Sequence, residues 1–311
     1  MIKLKDQHNE DIYIIGSDGG YANVKTANSI IPTGVTAYDV EPIFSGNIFE
    51  QNGKFYHIGE NHKEFIADKT QDDDYRILTL VSIAKSLKPE GITDANVHIA
   101  TGLPLTWLYT QRDSFKKYLT QKEEEIFKWN GTEYHIHIKG CSVYPQGYPA
   151  VLDRLKDFRG TNVVADIGNA TMNIIFIKDK KVIESKCYTE KLGVNQCVIA
   201  TKAAVSNQFA ATIDEAPIQS VLRFGKADIT DSYLNCIKAN AVIYAESIFA
   251  CLRKYEYNPD LMRLYIVGGG GCIIKNFGKY DKDRVTFIDD ICATAKGYEK
   301  LAYKALTRKK A

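Results

Sequence analysis

Two short stretches place an aspartate and a glycine-led turn directly behind a run of apolar β-formers. They are "IIGSDGGYANVKT" at residues 14–26 and "NVVADIGNATMN" at residues 162–173. In the first, Asp18 is followed by Gly19, Gly20, Asn23 and Lys25; in the second, Asp166 is followed by Gly168, Asn169 and Thr171. These residue types suit phosphate chemistry with a metal. A carboxylate repels phosphate, yet it can hold a hydrated Mg²⁺ that touches phosphate, because Mg²⁺ keeps several of its waters. Glycine lets the backbone approach phosphate oxygens and adopt positive φ, and Lys25 can neutralise charge as a phosphate bond breaks. Taken alone, the first stretch is as well explained by a hairpin with a solvated lysine. The second alone is a tight turn with an Asx hydrogen bond. The repetition carries the argument: each half of the chain opens with a β-run, then Asp-x-Gly, then more β-rich sequence. Two such turns facing across a cleft would aim backbone N–H groups and two carboxylates at one polyphosphate and its metal.

Further candidates follow along the chain. "VGGGG" (267–271) ends an apolar strand, and Gly268, Gly269, Gly270 and Gly271 offer bare backbone against which a flat ligand ring could pack. No G-x-G-x-x-G fingerprint and no G-x-x-x-x-G-K-[ST] loop occurs. Gln146, in "VYPQGYPA", is a candidate to orient an attacking water; the plainer reading is an exposed glutamine in a turn made by Pro145 and Gly147. His135 and His137 alternate on one strand and read as strand surface. The basic "TRKKA" end reads as a solvated, frayed terminus.

The elements that must hold these residues can be read from periodicity. "IYII" (12–15) is a short buried strand running into the first turn. Residues 43–58 form strands with a hairpin at Asn52-Gly53. From Asp72 to Lys88, Ile77, Leu80, Val81, Ala84 and Leu87 recur at helical spacing; Asp72–Asp74 suit the helix start, and Pro89 and Gly91 end it. "NVHIA" (96–100) is a buried strand, "TGLPLTWL" a loop, and "EYHIHIKG" (133–140) a half-buried strand. The second half opens as a β-meander through an Asp-Lys turn. Helices follow from about Val194 to Gln208 and from Ser232 to Lys254, the latter lined by Leu234, Ile237, Ala241, Ile248 and Leu252. Strands at 263–267 and 284–290 precede a final helix from roughly Cys292 to Thr307.

Bulk properties bound the answer. A chain of 311 residues is long enough for two domains. Apolar residues make up 45% and charged residues 25%, the proportions of an ordinary soluble globular protein. A net charge of +2 provides no broad field for nucleic acid. No apolar run approaches the roughly 20 residues a membrane span needs, and the polar start lacks the character of a secretory signal. The 7 cysteines are scattered and never form C-x-x-C, which points to reduced core thiols in a cytoplasm.

In order, Asp-Gly-Gly-Tyr-Ala-Asn-Val-Lys (18–25), Pro-Gln-Gly (145–147), Asp-Ile-Gly-Asn-Ala-Thr (166–171) and the glycines 268–271 resemble the actin/Hsp70/sugar-kinase ATPase superfamily. "SDGGYANVK", "TGLPLT" and "CATAKGYEKLA" are most similar to bacterial actin-like plasmid-segregation proteins of the ParM/StbA type. The resemblance implies an α/β actin-like ATPase fold, with two related RNase H-like domains flanking a nucleotide cleft. Domain I would cover residues 1–162, completed by the C-terminal helix at about 291–311, and domain II residues 163–290. By position, Asp18 and Asp166 would hold Mg²⁺ through water, and Lys25 would contact the β- and γ-phosphates. Gly19, Gly20, Tyr21 and Asn23 would belong to the first nucleotide loop, while Gly168, Asn169 and Thr171 would cradle phosphate from the second. Gly268–Gly271 would face adenine and ribose, Gln146 would position water, and Lys191 would approach the nucleotide from domain II. Ser142 stands near where some relatives place a glutamate. Ala22 and Asn169 replace glycines usual in the family, and Asn173 replaces a frequent aspartate, leaving rate and nucleotide preference open.

The implied function is a cytoplasmic, nucleotide-driven filament protein that binds and hydrolyses ATP or GTP with Mg²⁺. Its head-to-tail subunits would move plasmid or other mobile DNA through a centromere-binding adaptor, without direct sequence-specific DNA binding and without a membrane. A small-molecule kinase on the same fold is the alternative. It would need a carboxylate base in the cleft, and no aspartate is convincingly placed for that. A chaperone would need a peptide-binding domain for which no chain remains. A membrane-bound scaffold would want a stronger amphipathic terminal helix than "GYEKLAYKALTRKK" offers.

Overall fold

A computed structural model describes residues 1–43, 46–59, 70 and 73–308. The chain divides into two compact units, one of Met1–Leu152 with Cys292–Ala311 and the other of Asp153–Ile291.

In the first unit the order is β1 (Ile2–Lys5), β2 (Asp11–Gly19), β3 (Asn23–Lys25), β4 (Ile30–Pro32), β5 (Val35–Tyr38), β6 (Ile48–Gln51), β7 (Lys54–Ile58) and α1 (Asp74–Leu87). It continues with β8 (Asp94–Leu103), α2 (Leu105–Leu119), β9 (Glu124–Trp129) and β10 (Thr132–Pro145). The "IYII" strand is longer than its apolar run, because Asp11 is paired to Lys5 and Asp18 to Lys25. Asn52 and Gly53 turn the β6–β7 hairpin with φ of 54° and 72°, the two positive values of a tight primed turn. Residues 44–45 of that predicted β region, and Asp72 at the expected helix start, lie outside the described residues. The five apolar residues read on α1 are all buried. Its polar Thr79 and Ser82 are buried too, and their hydroxyls donate to the carbonyls of Tyr75 and Leu78. Arg76 of α1 reaches the buried Glu125 of β9 through Nε at 3.0 Å and Nη2 at 2.5 Å, tying the helix to the sheet.

"TGLPLTWL" is not a loop. Thr101–Leu103 finish β8, and α2 starts one residue past Pro104. Pro104 needs no helical N–H partner there, and α2 buries only Leu105, Phe115 and Leu119, too thin a stripe for periodicity to reveal.

The second unit holds β11 (Thr161–Ile167), β12 (Met172–Lys178), β13 (Lys181–Glu190), α3 (Val194–Phe209), α4 (Glu215–Phe224), α5 (Asp231–Lys254), β14 (Arg263–Val267), α6 (Gly271–Phe277) and β15 (Val285–Phe287). The meander expected from sequence is present, with Asp179 and Lys180 turning it at φ of 50° and 68°. α7 (Ala293–Arg308) then returns to the first unit. It covers one face of that sheet, where Tyr298 and Ala302 cluster with Ile14 and Ala100. Residues 309–311 of the basic end lie outside the described residues.

The same strand plan occurs in both units. In the first, β4-β3-β2-β8-β10 run side by side; the first two pairings are antiparallel and the last two parallel. In the second, β13-β12-β11-β14-β15 repeat that order and those directions. All seven cysteines are free and buried or half-buried. Among the described residues no helix is long and apolar enough to cross a membrane.

Candidate functional site

Asp18 and Asp166 occupy one position in the repeated plan. Each is the penultimate residue of the strand at which antiparallel neighbours give way to parallel ones, β2 or β11. Ligands of parallel sheets gather at the carboxyl ends of such strands. The turns that follow correspond residue by residue. Gly20 donates its N–H to the carbonyl of Asn23 at 3.1 Å, and Gly168 donates to that of Thr171 at 2.9 Å. Gly20-Tyr21-Ala22-Asn23 therefore matches Gly168-Asn169-Ala170-Thr171, and the Asp-x-Gly echo seen in the sequence is an echo of hydrogen bonding.

Beyond the turns the units differ. Lys25 is the cross-strand partner of Asp18, whereas Asn173 is the partner of Asp166. Directly opposed residues project from the same sheet face, so one turn presents a carboxylate with an ammonium and the other a carboxylate with an amide. The Asn173 side chain is buried, and its Oδ1 accepts from the Thr189 hydroxyl at 2.8 Å. Tyr21 is buried with its carbonyl held by the Thr33 hydroxyl, and burial pushes its phenol well above the usual range.

Within the first unit, Gln146 follows the last residue of β10, and its N–H donates to the Leu103 carbonyl at the end of β8. Because β2, β8 and β10 are successive parallel neighbours, Asp18, Thr101–Leu103 and Gln146 stand side by side at the carboxyl ends of these strands. Ser142 lies further down β10, engaged by the ring of buried His98 at 2.8 Å. Two contributors were not singled out in the sequence. The Thr101 hydroxyl donates to the Ser17 carbonyl at 2.8 Å and fixes the end of β2. Gly102 leaves room for Tyr298, whose hydroxyl oxygen lies 1.9 Å from where a Cβ would be. Their signal is the parallel between "TGLP" and "VGGG", each spanning the end of a strand and running up to the helix after it. His135 pairs with Glu133, as strand-surface residues do.

Within the second unit, the Gly168–Thr171 turn is packed by the segment leading into α3. Val194 and Asn195 donate their N–H groups to the carbonyls of Gly168 and Asn169 at 3.0 and 2.9 Å. A Cβ on Gly193 would stand 2.3 Å from the Asn169 oxygen. Two residues before it, Lys191 is exposed. The four glycines have separate roles. Gly268 takes φ of +84°, and a Cβ there would meet Asp166 Oδ1 at 2.8 Å. Gly270 is packed on Ile167, and a Cβ on Gly271 would come within 3.1 Å of Ile266. Only a Cβ on Gly269 would meet open space among these four. Asp166, Gly168, Asn169, Thr171, Gly193 and Gly268 are thus brought together, with Gly269 as the bare backbone left facing outward.

Among the described residues no group of three or more His, Cys, Asp or Glu side chains could hold a metal. Each turn, taken by itself, presents a single carboxylate, and a lone carboxylate suits only a cation that keeps most of its water.

A family model described as "Actin like proteins N terminal domain" matches residues 16–148, which include the first turn and Gln146. No curated protein matches. Solved structures match over nearly the whole chain. An archaeal actin homologue, Ta0583, in complex with ADP is 18% identical with a TM-score of 0.73, covering 94% of this chain and 99% of its own. The apo pSK41 ParM protein is 18% identical with a TM-score of 0.71, covering 96% and 99%. A ParM from a 15-stranded filament of Clostridium botulinum is 16% identical with a TM-score of 0.75, covering 94% and 99%. The chain has the actin-like fold, and its first unit matches the N-terminal domain of actin-like proteins.

Proposed function

We propose that this chain of actin-like fold is a filament protein driven by nucleotide. It binds ATP or GTP with Mg²⁺, assembles head to tail and hydrolyses the nucleotide after assembly. The observation that carries this reading is the repeated turn: one carboxylate and one glycine N–H bond at the same place in two units of the same strand plan. The fold-mates support it, since they include an ADP complex and a ParM filament. In this reading Asp18 and Asp166 hold the hydrated metal, which when bound draws charge from the phosphate oxygens. Lys25 adds a second positive charge on the first turn, the Gly20 and Gly168 turns keep backbone close to phosphate, and Gly269 meets the base or ribose. Gln146 orients the attacking water, and Lys191 approaches the phosphates from the second unit.

Head-to-tail contact between unlike surfaces does not close on itself and so builds an open filament. Such a filament, in the cytoplasm, would move plasmid or similar DNA through an adaptor, which suits a net charge of only +2. Light scattering of the purified protein with Mg²⁺ and ATP or GTP tests this, with electron microscopy of the scattering species. The expected result is a rise that decays as phosphate is released and is absent in Asp166→Ala. Nucleotide binding without any rise would remove the filament reading and direct assays to small-molecule phosphorylation.

A further inference from the structure

One face of the second sheet changes character close to the Gly168–Thr171 turn. Val163, Ala165, Ile167, Met172 and Ile174 pack with α3 and α5, so the alternate residues of β11 and β12 point the opposite way. On that opposite face one cross-strand row is Val164, Ile175 and Cys187, and its valine and isoleucine are fully buried. The next row, toward the turn, is Asp166, Asn173 and Thr189. Asn173 stands in the middle of it and is only 5% exposed. Its Oδ1 accepts from the Thr189 hydroxyl at 2.8 Å, and its side chain makes no other hydrogen bond among the described residues. The oxygen is thus held on the β13 side and the NH2 is turned away from β13; β11, with Asp166, is the strand on the other side of β12. A buried amide whose N–H donors find no protein acceptor costs the fold stability. Asn173 also holds the place in the second unit that Lys25 holds in the first. Each follows its turn by two residues, each lies across from the aspartate, and each is a donor.

We propose that the Asn173 amide is a further contact to the nucleotide, donating from Nδ2 to a phosphate oxygen, and that Thr189 is a positioning residue that holds the amide in this orientation. The inference rests on the nucleotide reading above. The acceptor is phosphate and not a water of the metal's shell. Such a water commits its lone pair to the cation, which also acidifies its protons, so it donates and does not accept. An ionised carboxylate is an acceptor only. Asp166 therefore takes the metal's water while Asn173 takes the anion, and the two neighbours divide the ligand by polarity. An aspartate in place of Asn173 would set a second carboxylate against phosphate.

The test is calorimetric titration of the purified protein with Mg²⁺ and ATP or GTP, whichever the parent binds more tightly, and with the matching nucleoside. Asn173→Asp should weaken triphosphate binding about tenfold or more, since it removes a donor to a charged group and adds a like charge. Thr189→Val should weaken it about threefold, and Thr189→Ser, which keeps the hydroxyl, should restore the parent value. The nucleoside carries no phosphate, and every variant should bind it as the parent does. Tighter triphosphate binding by Asn173→Asp would place Asn173 against the metal's water and overturn the proposal. So would an unchanged triphosphate affinity, or a loss shared equally by the nucleoside, the mark of a structural effect. A parent protein that binds no nucleotide would remove the nucleotide reading itself, and this inference with it.

Discussion

The residues of the candidate site divide into those the fold itself requires and those it leaves open. Gly268 belongs to the first kind. Its positive φ and the 2.8 Å approach to Asp166 leave no place for a side chain, so Gly268→Ala should cost about 1–3 kcal/mol in urea unfolding. Gly269 belongs to the second. Gly269→Ala should change stability by less than about 0.5 kcal/mol, yet weaken nucleotide binding several-fold if, as proposed, the base or ribose packs there, because a methyl group would then stand in its place. Equal losses of stability in the two variants would show that Gly269 is structural as well. A run of four glycines is visible in any reading of the sequence, but its division into packed and open positions is not. That division depends on Ile167, Asp166 and Ile266, side chains on two strands that the run itself does not contain.

At the scale of the element, α7 shows how one helix can be held by a group that opposes its own ionisation. Burial raises the Glu299 carboxyl above the usual carboxylate range, and the Gly16 N–H and the N-terminal ammonium pull it back only in part. Between the unfolded value, about 4.3, and the raised folded value, the native state keeps a proton the unfolded chain has lost. Stability therefore falls as pH rises through that window and stays reduced above it. Glu299→Gln retains an acceptor for Gly16 without the charge. Its stability relative to the parent protein should rise from pH 4 upward and level off above the folded pKa. Denaturant unfolding across that range checks this, and a difference independent of pH would show that Glu299 is not the titrating group. α7 was legible as a helix because its apolar residues recur at the helical period. α2 was not, because three buried residues over its length leave little period to see.

At the scale of the whole molecule, the first unit is discontinuous and closes only when α7 returns to it. A chain ended after Ile291 should lose the cover over Ile14 and Ala100 while the core of the second unit keeps all its members. Limited proteolysis should then digest residues 1–152 and spare 153–291. Equal resistance of both segments would mean that the first sheet does not need the helix.

The sequence by itself determined the local features: two Asp-x-Gly turns behind apolar strands, the Asn52-Gly53 and Asp179-Lys180 turns, and the helices with a strong apolar face. Turn chemistry and periodicity are properties of neighbouring residues, so a single sequence displays them. The tertiary structure alone decided which residues stand across from those turns. Lys25 faces Asp18 while Asn173 faces Asp166, Gly102 admits Tyr298, and Glu299 meets Gly16 across 283 residues of chain. Those partnerships are set by strand register and by the docking of a distant helix, and no local pattern encodes either.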